Sequence, residues 1–386
     1  MELSERLKKL PPYLFVEIDR EKRQAREAGR DIIDIGIGDP DQTPPQFVLD
    51  ALSASLKEPG VHRYALDQGA PEFRNAIAEW YKTRFNVKLN PDTEILPLIG
   101  SKEGIAHIPL AFVNPGDYTL VPDPCYPPYK GGTIFAGGEP YLMPLLEANA
   151  FLPDLGAIPA AVLKKSKLIY INYPNNPTAA VADTAFYRRV VEFAAKNKLA
   201  IISDLAYSEI AYDAYKAPSM LETKDAKEVT IEFHSFSKTF NMTGWRVGWA
   251  CGNAALISAL GKVKSNIDSG VFTALQKTGA AALGAKTGHV EKMNKLYQER
   301  RDTLIDGLNS IGWKVPMPKA TFYVWARLPK GNSSSIAFSQ KLLKDADIVA
   351  TPGVGFGKAG EGYIRMALTV QKERLQQAVE RIKKIL

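Results

Sequence analysis

"LIYINYPNNPTAAVADTAFYRRVVEFAAKNKLAIISD", residues 168–204, joins two apolar, β-rich runs (168–174 and 199–204) through a stretch, 184–198, whose apolar residues recur at helical spacing. Further runs of the first kind, "TLVP" (119–122) and "VTIEF" (229–233), are separated by longer segments. This alternation predicts an α/β unit built on a mostly parallel sheet. Further on, "HVEKMNKLYQERRDTLIDGLNSIG" (289–312) reads as a connecting helix that ends on glycine. Beyond it, "ATFYVWARL" (320–328) and "GYIRMALTV" (362–370) read as strands of a smaller α+β unit. The expected division is an N-terminal arm over 1–40 that packs on the smaller unit, a large domain over 41–285 and a small domain over 286–386. A short charged helix broken by Pro11-Pro12 has too little core to stand alone.

The 386 residues, 45% of them hydrophobic, suffice for a sizeable buried core. No run approaches the roughly 18 apolar residues of a membrane span, and "MELSERLKKL" carries charges where a secretion signal needs apolar residues, so the chain reads as cytoplasmic with no membrane partner. Two isolated cysteines, Cys125 and Cys251, and four scattered histidines offer neither a disulfide framework nor metal-ligand spacing. The formal charge of +7 is spread over segments such as "KKSK" (164–167) and "ERLQQAVERIKKIL" (373–386) that look like solvated helix faces. Without a basic-aromatic motif, that pattern suits anionic metabolites better than nucleic acid.

Polar residues gather just past the expected carboxyl ends of strands, where open α/β sheets bind ligands. "LIGSKEGIAHIPLAF" (98–112) leads from an apolar run into a helix, so the amides of Ser101 and Lys102 can hold an anion; a simple helix cap at Ser101 is the plainer reading. "YPNNPTA" (173–179) ends a strand with two asparagines and two prolines, and its plain reading is a tight turn. "IISDLAYSEI" (201–210) ends an apolar run on Asp204, a carboxylate that needs a cationic partner: a distant side chain, or a protonated ring nitrogen on a cofactor. "HSFSKTFNMTGWRVGW" (234–249) sets Lys238 among Phe236, Phe240 and Trp245, poor company for a surface lysine, with Arg246 eight positions on.

The set "NNPTA", Asp204 with Tyr207, "SFSK" with "GWR", and "YIRMAL" resembles, in order and over nearly the whole chain, the fold-type I aminotransferases that use pyridoxal 5′-phosphate. Residues 6–45 and "SNIDSGVFTALQ" (265–276) resemble most closely the branch of that family acting on LL-diaminopimelate, an intermediate of lysine biosynthesis. The resemblance implies a seven-stranded, mostly parallel sheet of the aspartate aminotransferase type, and a homodimer with shared sites. It implies that Lys238 carries the cofactor and serves as the general base, that Asp204 faces the ring nitrogen, that Asn176 and Tyr207 face the ring oxygen, and that Tyr126 stacks on the ring. Ser235, Ser237, Arg246 and the amides of Ser101 and Lys102 would hold the phosphate, joined by Tyr64 lent from the neighbouring subunit.

On the substrate side, Arg365 would grip the α-carboxylate and Gly38 would let the backbone approach. Tyr13, Lys102 and Asn266, with Tyr126 and Asn176, would complete the substrate pocket. Two features depart from the pattern. Ala179 stands where the family turn usually has glycine, so the backbone after Asn176 is expected to depart slightly. "GVGFG" (353–357) looks like a nucleotide loop but lies between late strands, and is read as a flexible loop. An aspartate or broad-range aminotransferase, a β-lyase and a non-catalytic cofactor-binding regulator are the alternatives on the same fold.

Overall fold

The structure, a computed structural model, describes residues 2–10, 14–65 and 68–386, with only the backbone described over 14–18. Seven strands form the main sheet: β1 (Ile95–Leu98), β2 (Tyr118–Asp123), β3 (Glu139–Pro144), β4 (Ser166–Asn172), β5 (Ala200–Asp204), β6 (Thr230–Ser235) and β7 (Gly248–Gly252). Their order is β1-β7-β6-β5-β4-β2-β3, and β7 alone runs against its neighbours. This is the mostly parallel seven-stranded sheet expected. The β4 and β5 side chains are nearly all buried, because helices cover both faces of the sheet.

The crossover between them behaves as its spacing predicts. Asp183 accepts a hydrogen bond from the Phe186 amide at 2.7 Å and so opens α2 (Thr184–Asn197), whose buried face of Phe186, Tyr187, Val190, Val191 and Ala194 packs on Ile169, Ile171 and Ile201. Lys198 then takes a left-handed conformation, φ 56°, to end the helix. The helix ahead of β2, α1 (Ser101–Phe112), begins directly after β1.

The long helix α3 (His289–Ser310) leads to an antiparallel sheet of β8 (Tyr323–Arg327), β9 (Thr351–Pro352) and β10 (Tyr363–Ala367), ordered β9-β10-β8, and α4 (Lys372–Lys383) packs back on α3. Ile33 and Ile35 enter the same core as Leu304, Ile348 and Ile364, and Ile33–Asp34 pairs with Ile348–Val349. Just beyond, Asp41 receives a two-pronged bond from Arg300 of α3, 2.7 Å on each arm, fixing the segment that carries Gly38.

The "GVGFG" stretch, expected as a flexible loop, is a 3₁₀ turn over Gly353–Phe356 with Gly353 and Phe356 buried. The Phe356 carbonyl accepts from the Cys125 amide at 3.0 Å, which docks the turn on the end of the large sheet. Both cysteines are free and buried. Among the described residues no helix is long and apolar enough to cross a membrane, and no group of three or more potential metal-ligating side chains is present.

Candidate functional site

A cavity of about 250 Å³ opens at the carboxyl ends of β4, β5 and β6, between the large sheet and the small one. Parallel register places Asn172 opposite Asp204, so the turn after β4 and the last residue of β5 meet at one level. Asn172 holds that turn: its side-chain amide donates to the carbonyls of Asp204 at 2.8 Å and Pro174 at 3.3 Å, and its oxygen accepts from the Asn176 amide at 2.9 Å. Ala179 sits at φ 57°, the left-handed region glycine prefers. Alanine holds that conformation at a cost of roughly 1 kcal/mol.

Asp204 is 5% exposed. Burial raises its carboxyl to about 6, opposed by a 2.7 Å hydrogen bond from the Tyr129 hydroxyl and a 3.4 Å one from the Ala206 amide. No lysine, arginine or histidine among the described residues pairs with it. A carboxylate so placed asks for a cation from a bound group.

Lys238 arrives from the end of β6. Ser235 accepts from the Ser237 amide at 3.1 Å, opening a single helical turn, Phe236–Thr239, whose phenylalanine packs under Trp249 and Phe73 while the lysine faces the cavity. The Lys238 ammonium donates to the Gly38 carbonyl at 2.9 Å. Desolvation lowers its pKa to about 8, with Asp39 opposing and the positive charges of Arg365 and Arg246 assisting.

On the other wall, Arg246 at φ 56° turns the chain from the Thr243–Trp245 turn into the reversed strand β7. Its guanidinium donates to the Thr243 carbonyl at 2.8 Å and lies 3.5 Å from Ser237 Oγ. Gly100 is the cap residue of α1 and makes no side-chain cap, so the plainer reading of Ser101 as the cap is overturned. Two bare α-carbons make room for this wall. A Cβ on Gly100 would strike the Arg246 guanidinium, and one on Gly248 would lie 2.6 Å from the His234 carbonyl and 2.8 Å from the Ser101 amide nitrogen. The result is a cradle of backbone amides, hydroxyls and a guanidinium suited to a phosphate.

Arg365, from the middle of β10, crosses from the small sheet. It is 5% exposed, donates to Asn176 Oδ1 at 2.9 Å and the Gly36 carbonyl at 2.8 Å, and lies 4.2 Å from the Tyr323 ring centre and 4.5 Å from that of Phe356. No carboxylate among the described residues neutralises it, and its Nε has no partner. A buried guanidinium in that condition suits a ligand carboxylate.

The cavity lining thus brings together Gly38, Ser101, Lys102, Tyr126, Asn176, Asp204, Tyr207, Ser235, Ser237, Lys238, Arg246 and Arg365. Three expected residues are not among them. Tyr64 is 91% exposed, Asn266 is exposed with its side-chain amide on the Lys262 carbonyl at 2.8 Å, and Tyr13 lies outside the described residues. Sequence reading missed Tyr323, Phe356, Thr243, Pro127 and Ala206 in the lining, and Tyr129 behind Asp204. "PDPCYPPYK" does carry Tyr129 one helical turn after Tyr126, a signal for a shared face. Nothing local marks Tyr323.

The pairing of an unneutralised buried carboxylate, a lysine of lowered pKa and an amide-lined anion cradle fits pyridoxal phosphate, whose ring nitrogen, aldehyde and phosphate need those three partners. Residues 30–382 match the family model described as aminotransferase class I and II. The chain is 54% identical to the LL-diaminopimelate aminotransferase of Moorella thermoacetica over 386 residues, covering 100% of this chain and 99% of the relative. It is also similar to the substrate-bound BacF structure from Bacillus subtilis (TM-score 0.96, 40% identity, 100% and 98% of the two chains). A Thermus thermophilus aspartate aminotransferase single mutant superposes with a TM-score of 0.94 at 29% identity over 100% of both chains.

Proposed function

The chain belongs to the class I and II aminotransferases, and from that membership we propose that it transfers the amino group between LL-diaminopimelate and 2-oxoglutarate, a reaction of lysine biosynthesis. The observation that carries this reading is the 54% identity with an LL-diaminopimelate aminotransferase from end to end. The cofactor is pyridoxal 5′-phosphate. When bound, it supplies an electron sink for the pair left at the substrate α-carbon.

The chain's own residues do the rest. Ser101, Lys102, Ser235, Ser237 and Arg246 would hold the phosphate, and Tyr126 would cover one face of the ring. Asn176 and Tyr207 would face the ring oxygen. Asp204 would keep a proton on the ring nitrogen, since a buried negative charge beside that nitrogen raises its pKa. Lys238 would hold the cofactor and would serve as the base for the α-carbon proton; its lowered pKa leaves much of the amine neutral near pH 8. Arg365 receives the α-carboxylate on a planar fork, which fixes the direction of the α C–H bond. Gly38 and Lys102 line the substrate side of the same cavity.

We also propose a cytoplasmic homodimer in which the exposed Tyr64 of each copy reaches the phosphate of the other. Tyr13 and Asn266 are proposed at the far end of the substrate. A panel of amino donors with 2-oxoglutarate tests the assignment, comparing kcat/KM for LL-diaminopimelate, its meso isomer, lysine, aspartate and phenylalanine. The LL isomer should lead. A lead for aspartate or an aromatic donor would overturn the substrate while leaving the reaction class. Parallel double-reciprocal lines are expected, and intersecting lines would count against an exchange in two halves.

A further inference from the structure

We propose that Tyr323, which the known reaction does not yet use, is a positioning residue serving two parts of this site at once: its hydroxyl donates to Tyr207, and its ring face seats Arg365. The inference rests on the aminotransferase reading above.

Tyr323 opens β8, is 3% exposed and lines the cavity. Its hydroxyl oxygen lies 3.1 Å from that of Tyr207, and each tyrosine is packed against Phe322. If Tyr323 is the donor, the Tyr207 proton is left to point into the cavity, and the incoming bond makes Tyr207 a better donor. The same ring lies 4.2 Å from the Arg365 guanidinium, a separation at which the ring quadrupole attracts the cation. Gly38 completes the seat. A Cβ there would collide with the Tyr323 hydroxyl and ring, so the bare backbone of Gly38, whose carbonyl takes the Lys238 ammonium, is what lets Tyr323 stand where it does. One side chain therefore sets the direction of both the ring-oxygen donor and the carboxylate fork.

The two roles separate by substitution. Tyr323→Phe keeps the ring and removes the hydroxyl, whereas Tyr323→Leu removes the ring face. The first readout is the pH titration of the visible absorbance of the cofactor-loaded, substrate-free protein. A hydrogen bond to the ring oxygen stabilises the basic form of the chromophore, so weakening it moves the midpoint up. Tyr323→Phe should raise that midpoint by about half a pH unit or more. Tyr207→Phe should raise it at least as far, and the double variant should add nothing further.

The second readout is KM. Tyr323→Phe should leave KM for LL-diaminopimelate and 2-oxoglutarate within about twofold, while Tyr323→Leu should raise both by about 3- to 30-fold. A wild-type titration curve for Tyr323→Phe, additive shifts in the double variant, or unchanged KM values in Tyr323→Leu would overturn the inference. Should Tyr323→Leu fail to fold, the titration and the double variant still decide. Wild-type protein that neither colours with the cofactor nor exchanges amino groups would instead defeat the underlying reading.

Discussion

Asp204 is a carboxylate removed from water with no cation beside it, and that condition has a measurable cost in the cofactor-free protein. Its folded value of about 6 lies above the ordinary 3.8, so between those values the folded chain holds the extra proton and stability falls as pH rises through that window. Cofactor-free Asp204→Asn should therefore be more stable than wild type at pH 7, by about 2 kcal/mol, with the difference shrinking toward pH 4. Thermal melts at both pH values check this, and kcat of the loaded variant should fall by about 10²- to 10³-fold. Lys238 gives the complementary experiment. Only its neutral amine attacks an aldehyde, so the rate at which cofactor-free protein takes up pyridoxal phosphate should climb between pH 7 and 9 with a midpoint near 8, and Lys238→Ala should form no borohydride-reducible adduct. Both residues were legible in the sequence, because a charge in an apolar run must be accounted for locally. Tyr323 was not, and Tyr129 showed only in its spacing from Tyr126: each acts through a hydroxyl whose partner lies 75 or 116 positions away, Asp204 for Tyr129 and Tyr207 for Tyr323.

At the scale of elements, the anion cradle depends on a strand reversing direction. Because β7 runs against β6, Gly248 pairs with Ser235 on one side and with Leu98 of β1 on the other, which brings the start of α1 beside the Ser235–Ser237 turn. Gly248→Ala places a methyl between the His234 carbonyl and the Ser101 amide, and should weaken cofactor affinity by about tenfold or more while far-ultraviolet dichroism stays unchanged. Lys198 lies away from the cavity at the end of α2, exposed and left-handed. Lys198→Gly should accordingly stabilise the fold by about 0.5–1 kcal/mol in urea titration with activity retained. Alternation of apolar runs revealed the crossover elements, since period and length are local properties. It did not reveal the reversal of β7, the glycine cap of α1 or the packed 3₁₀ turn at 353–356, each of which is decided by what a backbone meets across the sheet.

For the molecule as a whole, the proposed dimer predicts complementation. Lys238→Ala protein and Tyr64→Ala protein, denatured and refolded together in equal amounts, should recover up to about a quarter of wild-type sites, because a hybrid has one site with both residues intact. Activity no greater than the sum of the separately refolded variants would place Tyr64 outside the site. The composition and strand pattern conveyed the fold class, yet the cavity lies where Arg365 of the small sheet meets Asn176 of the turn that follows β4, a juxtaposition that no window of sequence contains. The two buried cysteines give that junction a built-in gauge. Burial drives the Cys125 thiol up to about 12 and the Cys251 thiol well above its usual range, so neither reacts while the chain is folded. Cys125 lies where the Phe356 turn docks, whereas Cys251 is held inside the seven-stranded sheet between β1 and β6. A maleimide chase followed by mass spectrometry should then tag Cys125 on local parting of the two sheets and Cys251 only on global unfolding. The ratio of the two tagging rates would time how often the molecule breathes, with no reporter group introduced.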